Sequence, residues 1–141
     1  MLERLAAHGV SLNDYARALF DDEAFTTSEA AREVTVVFVS LAELGLTDGA
    51  CFPDIVAAAA AQGLAPCPLE LAPHLRLAWL EQPVGPYLTV ASHRLHDDPE
   101  APHGLYLRHR EDGLWLRGFQ ADDEYVYPPD FTDFVFVHSE A

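Results

Sequence analysis

Residues 105–119 read Leu-Tyr-Leu-Arg-His-Arg-Glu-Asp-Gly-Leu-Trp-Leu-Arg-Gly-Phe, and this stretch decides the fold class. Leucine alternates with polar or aromatic residues on both sides of Asp112-Gly113. A period of two marks paired strands, not a helix. Asp-Gly favours a two-residue type I′ turn. That turn pairs Glu111 with Leu114, Arg110 with Trp115, His109 with Leu116, Arg108 with Arg117, and Tyr106 with Phe119. Opposed residues share a face. One face therefore collects Leu105, Leu107, His109, Leu114 and Leu116 and reads as core. The other collects Tyr106, Arg108, Arg110, Trp115, Arg117 and Phe119, the candidate partner-binding face. A three-residue Glu111-Asp112-Gly113 loop would mix leucine with arginine on both faces, so the first register is preferred.

Outward from the hairpin, the period of two covers the whole C-terminal half. It predicts strands at Leu75–Leu80, Tyr87–Ser92, Leu105–Arg110, Leu114–Phe119 and Asp133–His138. The N-terminal part reads as helix. A short turn over Leu2–Ala7 is stopped by Gly9; Ser11 then caps a helix with Leu12, Tyr15, Ala16 and Leu19 as its apolar stripe. Thr26 or Thr27 can cap a further turn through Arg32. Val34–Val39 is β-branched or aromatic at every position, which predicts a strand inside the sheet or between layers. Ser40 and Glu43 form a capping box for one turn ending at Gly45. Pro53 opens a helix through Gln62, with Gly63 as its stop and Ala57–Ala61 as a close-packing face.

The expected architecture is one α+β domain over residues 1–141: helices first, then a mainly antiparallel sheet. Its helical part covers about 1–33, a mixed part 34–72 and a sheet-rich part 73–138. Phe38, Ile55, Leu77, Val90, Leu107, Leu116 and Phe136 are the predicted core.

Composition narrows the function. The chain has 141 residues, half of them apolar, which fits one globular domain and excludes wholesale disorder. Its longest apolar runs, 36–39 and 55–61, fall far short of the ~20 residues of a membrane span. Met1–Val10 has no basic start and no apolar run, so no secretion signal is expected and the cytoplasm is the expected compartment. Eight basic against 23 acidic residues give a net charge of −15. That field opposes nucleic-acid backbones and anionic membranes. All eight basic residues are arginine; the missing lysines exclude Schiff-base chemistry and suggest a bacterial genome of high GC content. Cys51 and Cys67 form no C-x-x-C pair and read as free thiols.

No P-loop, dinucleotide fingerprint, nucleophile elbow or H-E-x-x-H zinc motif occurs. No cofactor is expected. His93, His96 and His103, with His109, Asp97 and Asp98 nearby, carry ligand types that suit zinc, iron or nickel. They form the candidate metal group, although H-x-x-H on a strand end points two rings to opposite faces. Acid runs at Asp97-Asp98, Asp122-Asp123-Glu124 and Asp130–Asp133 read as solvated surface.

Several segments look alike to a known pattern: Phe25-Thr26-Thr27-Ser28 running to Arg32-Glu33-Val34, and Leu44-Gly45-Leu46 to Gly49-Ala50. Gly63-Leu64-Ala65-Pro66-Cys67-Pro68, Leu75-Arg76-Leu77 and Asp112-Gly113-Leu114-Trp115-Leu116 belong to it as well. Together they resemble a family of small bacterial α+β proteins of unknown function, over about residues 25–138. The resemblance brings no activity, cofactor or site residue to this chain.

The leading functional expectation is a non-catalytic cytoplasmic module that binds another protein, because arginine and aromatic residues are enriched at interfaces. A small-ligand-binding protein or metal-dependent enzyme is the second. An acidic mimic that blocks a nucleic-acid-binding protein is the third. In the expected register Arg108 opposes Arg117, so either internal acids or an external carboxylate or phosphate should sit between them.

Overall fold

The computed structural model describes residues 2–23, 25, 34–96, 101–120, 124–131 and 133–138. The turn expected through Arg32 and the loop acids Asp97, Asp98, Asp122 and Asp123 lie outside the described residues.

Helix α1 spans Leu2–Ala7 and is followed by a two-residue strand, β1, at Ser11–Leu12. Helix α2, Asp14–Asp21, is capped by Asn13 and not by Ser11. Asn13 can do more than a serine: its Oδ1 accepts from the Ala16 N–H at 2.9 Å and from the Gly118 N–H at 2.7 Å. Its Nδ2 donates to the Gly118 carbonyl at 2.9 Å. One amide therefore starts the helix and docks it on the C-terminal hairpin. Gly118 is required there, because a Cβ would lie 2.6 Å from the backbone of Tyr15 and Ala16.

Strand β2 is Val36–Val39, and the turn after it carries the expected capping box: Glu43 N–H donates to Ser40 Oγ and Ser40 N–H to Glu43 Oε1, both at 3.1 Å. Strand β3, Ala50–Cys51, leads into α3, Phe52–Ala61, which has its proline in the first turn and ends before Gly63 at φ +77°. Strand β4 (Leu64–Ala65) and helix α4 (Leu71–Ala78) follow. The remaining strands are β5 (Tyr87–Val90), β6 (Gly104–Arg110), β7 (Gly113–Phe119), β8 (Val126–Tyr127) and β9 (Phe134–His138).

The main sheet runs β1-β7-β6-β5-β9-β2, with β4 beside β9; β3 and β8 form a separate pair. The fold is α+β. The sheet is mixed, since β1–β7 and β5–β9 are parallel while β2–β9, β4–β9, β5–β6 and β6–β7 are antiparallel. Among the described residues three of the four helices, α2, α3 and α4, lie between strands in the chain, and α1 alone precedes them all. Among the described residues no helix is long and apolar enough to cross a membrane.

Alternation along the strands splits the core between the two sheet faces. One face gathers Leu88, Val90, Leu105, Leu107, Leu116 and Val135 against Leu5, Ala16, Leu19 and Ala72 of the helices. The opposite face gathers Val39, Phe134 and Phe136 against Ile55 and Ala59 of α3.

Three expectations need correction. Leu75–Leu80 is not a strand: Leu71–Ala78 is helix α4, and its buried Ala72 and Arg76 stand one helical turn apart. A buried arginine between two leucines imitates strand alternation. Leu77 accordingly sits at the edge of the core, only partly buried. Finally, β2 lies at the edge of the sheet and not inside it, and Phe38 is 40% exposed, resting against Trp79 at 5.5 Å between ring centroids. Ile55, Val90, Leu107, Leu116 and Phe136 are fully buried. Phe136→Ala should therefore cost about 3–5 kcal/mol of stability in urea melts. Phe38→Ala should cost less than about 1 kcal/mol, being on the edge. Equal losses would contradict the edge placement.

Candidate functional site

The β6–β7 hairpin pairs in a register two residues away from the one expected. Arg110 faces Gly113, His109 faces Leu114, Arg108 faces Trp115, Leu107 faces Leu116, and Tyr106 faces Arg117. The turn is Glu111-Asp112. A type I′ turn needs two consecutive positive φ angles, and no described residue other than glycine has one. Gly113 takes φ +126° directly after the turn. Asp112 holds the corner, its Oδ1 accepting from the Trp115 indole N–H at 2.9 Å.

A shift of two preserves the faces, whereas a shift of one would have exchanged them. Tyr106, Arg108, Arg110, Trp115, Arg117 and Phe119 thus still share one side of the hairpin. Tyr87 joins them from β5, directly opposite Arg108. The expected clash of Arg108 with Arg117 is absent because each is opposed by an aromatic residue. Arg108 lies over the Tyr87 ring at 5.4 Å, and Arg117 and Arg110 lie over Trp115 at 5.1 and 5.7 Å. Such contacts are worth about 0.5–2 kcal/mol each and attract a guanidinium to the ring face without neutralising it.

Arg110 comes within 3.9 Å of Asp112. Arg108 and Arg117 form no ion pair with a carboxylate among the described residues, and the Nε of each is shielded from solvent with no acceptor. Three of the chain's eight arginines are here, within ten residues, in a protein of net charge −15. The face is a local reversal of the overall sign.

Behind the hairpin sits a residue that sequence reasoning missed as a site element. Arg76 of α4 is fully buried. Its Nη1 donates to Gln82 Oε1 at 2.6 Å and to the carbonyls of Trp115 and Arg108 at 3.2 and 3.4 Å; its Nη2 donates to the Trp79 carbonyl. Burial pushes its pKa down to about 10, which leaves it charged at neutral pH. Gln82, also buried, passes the network on: its Nε2 donates to the Leu107 carbonyl at 3.1 Å, and its own carbonyl accepts from His109 Nδ1 at 2.6 Å. The carbonyls of Arg108 and Trp115, a cross-strand pair whose side chains build the face, are thus tied to one cation.

The candidate metal group looks different. His93, His96 and His103 do line one cavity of about 480 Å³. Within it, His103 is buried, donates from Nε2 to the Ser92 carbonyl at 3.0 Å, and packs edge-on against Phe52 at 4.6 Å. His96 meets Asp22 at 2.7 Å, and His93 is exposed. Among the described residues no three His, Cys, Asp or Glu side chains come together as a metal-binding group. Cys67 is buried and its thiol is pushed up to about 12 by desolvation, so it is no nucleophile.

A second concavity, of about 310 Å³, adjoins the arginine face and is walled mainly by aromatic rings, with Arg108 at its margin. Of these rings, Tyr125, Tyr127 and Phe131 lie between or within acid runs expected as solvated surface, although Tyr-Val-Tyr-Pro-Pro-Asp-Phe is visibly aromatic-rich. No protein-family model, curated protein or solved structure matches the chain.

The buried guanidinium can be tested directly. Arg76→Ala leaves three carbonyls and a glutamine oxygen without their donor, each unsatisfied group costing about 1–3 kcal/mol. A stability loss of about 3 kcal/mol or more is expected in urea melts. A loss below about 1 kcal/mol would show that the hairpin does not depend on it.

Proposed function

We propose that this protein is a non-catalytic binding module that docks an acidic segment of another protein on the β5–β6–β7 face. One observation carries the reading: Arg108 and Arg117 lie over aromatic rings with no carboxylate partner among the described residues, in a chain of net charge −15. Guanidinium is the side chain best shaped for bidentate recognition of carboxylates. Already placed against a ring, it loses little further freedom on binding. Trp115 and Tyr106 supply the apolar area that gives such contacts their strength, as aromatic and arginine residues do at interface hot spots. The chain's net charge of −15 disfavours acidic partners on average, which favours a face where arginines gather.

Selection of random displayed peptides against the folded chain tests the reading. Binders should be enriched in aspartate and glutamate. Their binding should fall at least tenfold with Arg117→Glu or Trp115→Ala in variants that melt like the parent. It should also weaken as salt rises and the screening length drops from about 8 Å at 0.15 M to about 3 Å at 1 M. Binders without acidic enrichment, or binders indifferent to Arg117→Glu, would overturn the proposal.

A further inference from the structure

The arginine face continues into the ring-walled concavity without a break, because Arg108 belongs to both. Tyr87 and Tyr106 stand 5.2 Å apart at its sheet side. Phe131 meets Tyr87 edge-on at 5.6 Å and Tyr127 at 4.8 Å, and Tyr125 extends the wall from Tyr127 at 4.9 Å. The rings thus form one connected wall. Arg108 is the one charged side chain among the described lining residues.

Ring-walled sites commonly hold cations, but here the margin already carries a positive charge that repels a second one. The volume lies at the small end of ligand sites, which run from about 300 to 1,000 Å³. It suits one flat side chain better than a large cofactor. Edge-to-face and offset packing against several rings would reward an aromatic ring by about 0.5–1.5 kcal/mol per pair beyond its buried area.

Resting on the docking reading above, we infer that this concavity receives one aromatic side chain of the acidic segment and fixes the segment's register. In an extended segment, residues two apart project to the same side, separated by roughly 6.6 Å. A carboxylate two positions from the aromatic residue therefore lies over the arginine row when the ring is seated. The recognised pattern is an acidic residue, any residue, then an aromatic one, or its reverse. The aromatic residue supplies the anchor and the carboxylate meets Arg108.

The test is a titration followed by amide NMR, carried to millimolar peptide. Three capped hexapeptides serve as probes: an acidic one with a single phenylalanine, the same with alanine in that place, and one with phenylalanine among lysines. The acidic phenylalanine peptide should bind at least tenfold more tightly than the alanine peptide, with the extra shifts centred on Tyr106, Phe119 and Gln120. Tyr125 is half-exposed, so Tyr125→Ala should leave the fold intact. That change should remove most of the phenylalanine advantage without altering the alanine peptide's affinity. Equal binding of the phenylalanine and alanine peptides would overturn the anchor while leaving acidic docking in place. Failure of both acidic peptides to bind, or equal binding of the lysine peptide, would overturn the docking reading as well.

Discussion

A single buried positive charge, with no carboxylate paired to it among the described residues, ties together the segments of the C-terminal half. Among the described residues Arg76 is buried against neutral oxygens: one glutamine amide and three backbone carbonyls. Desolvating a charge is costly, and a network of dipoles offsets that cost only if the oxygens stay converged on it. The oxygens come from α4's end, the Gln82 turn, β6 and β7. None of these segments can shift without stranding the guanidinium, so the hairpin, the helix and the turn are held in one arrangement. Arg76 Nε remains without an acceptor, the one part of the group left unmatched.

The consequence for the outer face is geometric. Arg108 and Trp115 oppose each other across the hairpin, and their carbonyls are the ones fixed to Arg76. Their side chains then stand in set positions, with the guanidinium carbons 5.1–5.7 Å from the centroids of the Tyr87 and Trp115 rings. Stacking takes the place that carboxylates usually fill. Arg108 and Arg117 lie over rings and have no carboxylate partner among the described residues. The chain carries a net charge of −15, so an acidic segment docked as proposed would meet less repulsion and more donors at this surface.

Much of this was legible in the sequence because alternation is a strong signal. Both faces of residues 105–119 are as the period of two predicts, even though the turn moved and every cross-strand partner changed. The shift was by two residues, and parity survives such an error. The helix at α3 followed from Pro53 and Gly63, and the Ser40–Glu43 box from its spacing. The α4 region was misread because burial of Arg76 is unreadable locally: Leu-Arg-Leu looks like a half-exposed strand when arginine is taken as solvated. The edge position of β2 was hidden for a related reason, since an all-apolar strand says that its side chains avoid water but not which neighbours it has. The ring wall was missed because Tyr125, Tyr127 and Phe131 meet Tyr87 and Tyr106 only through long-range topology. Asn13 capping needed knowledge of Gly118, more than a hundred residues away.

One buried guanidinium, that of Arg76, holds the hairpin and thereby the arginine face. Residue-resolved amide hydrogen exchange on Arg76→Met tests it most directly, since methionine fills much of the space without donating. The account predicts that protection falls selectively from Leu107 to Leu116 and around Gln82, while α3 and the β2–β9 pair keep theirs. Unchanged protection in the hairpin, or an even loss across the whole chain, would contradict it.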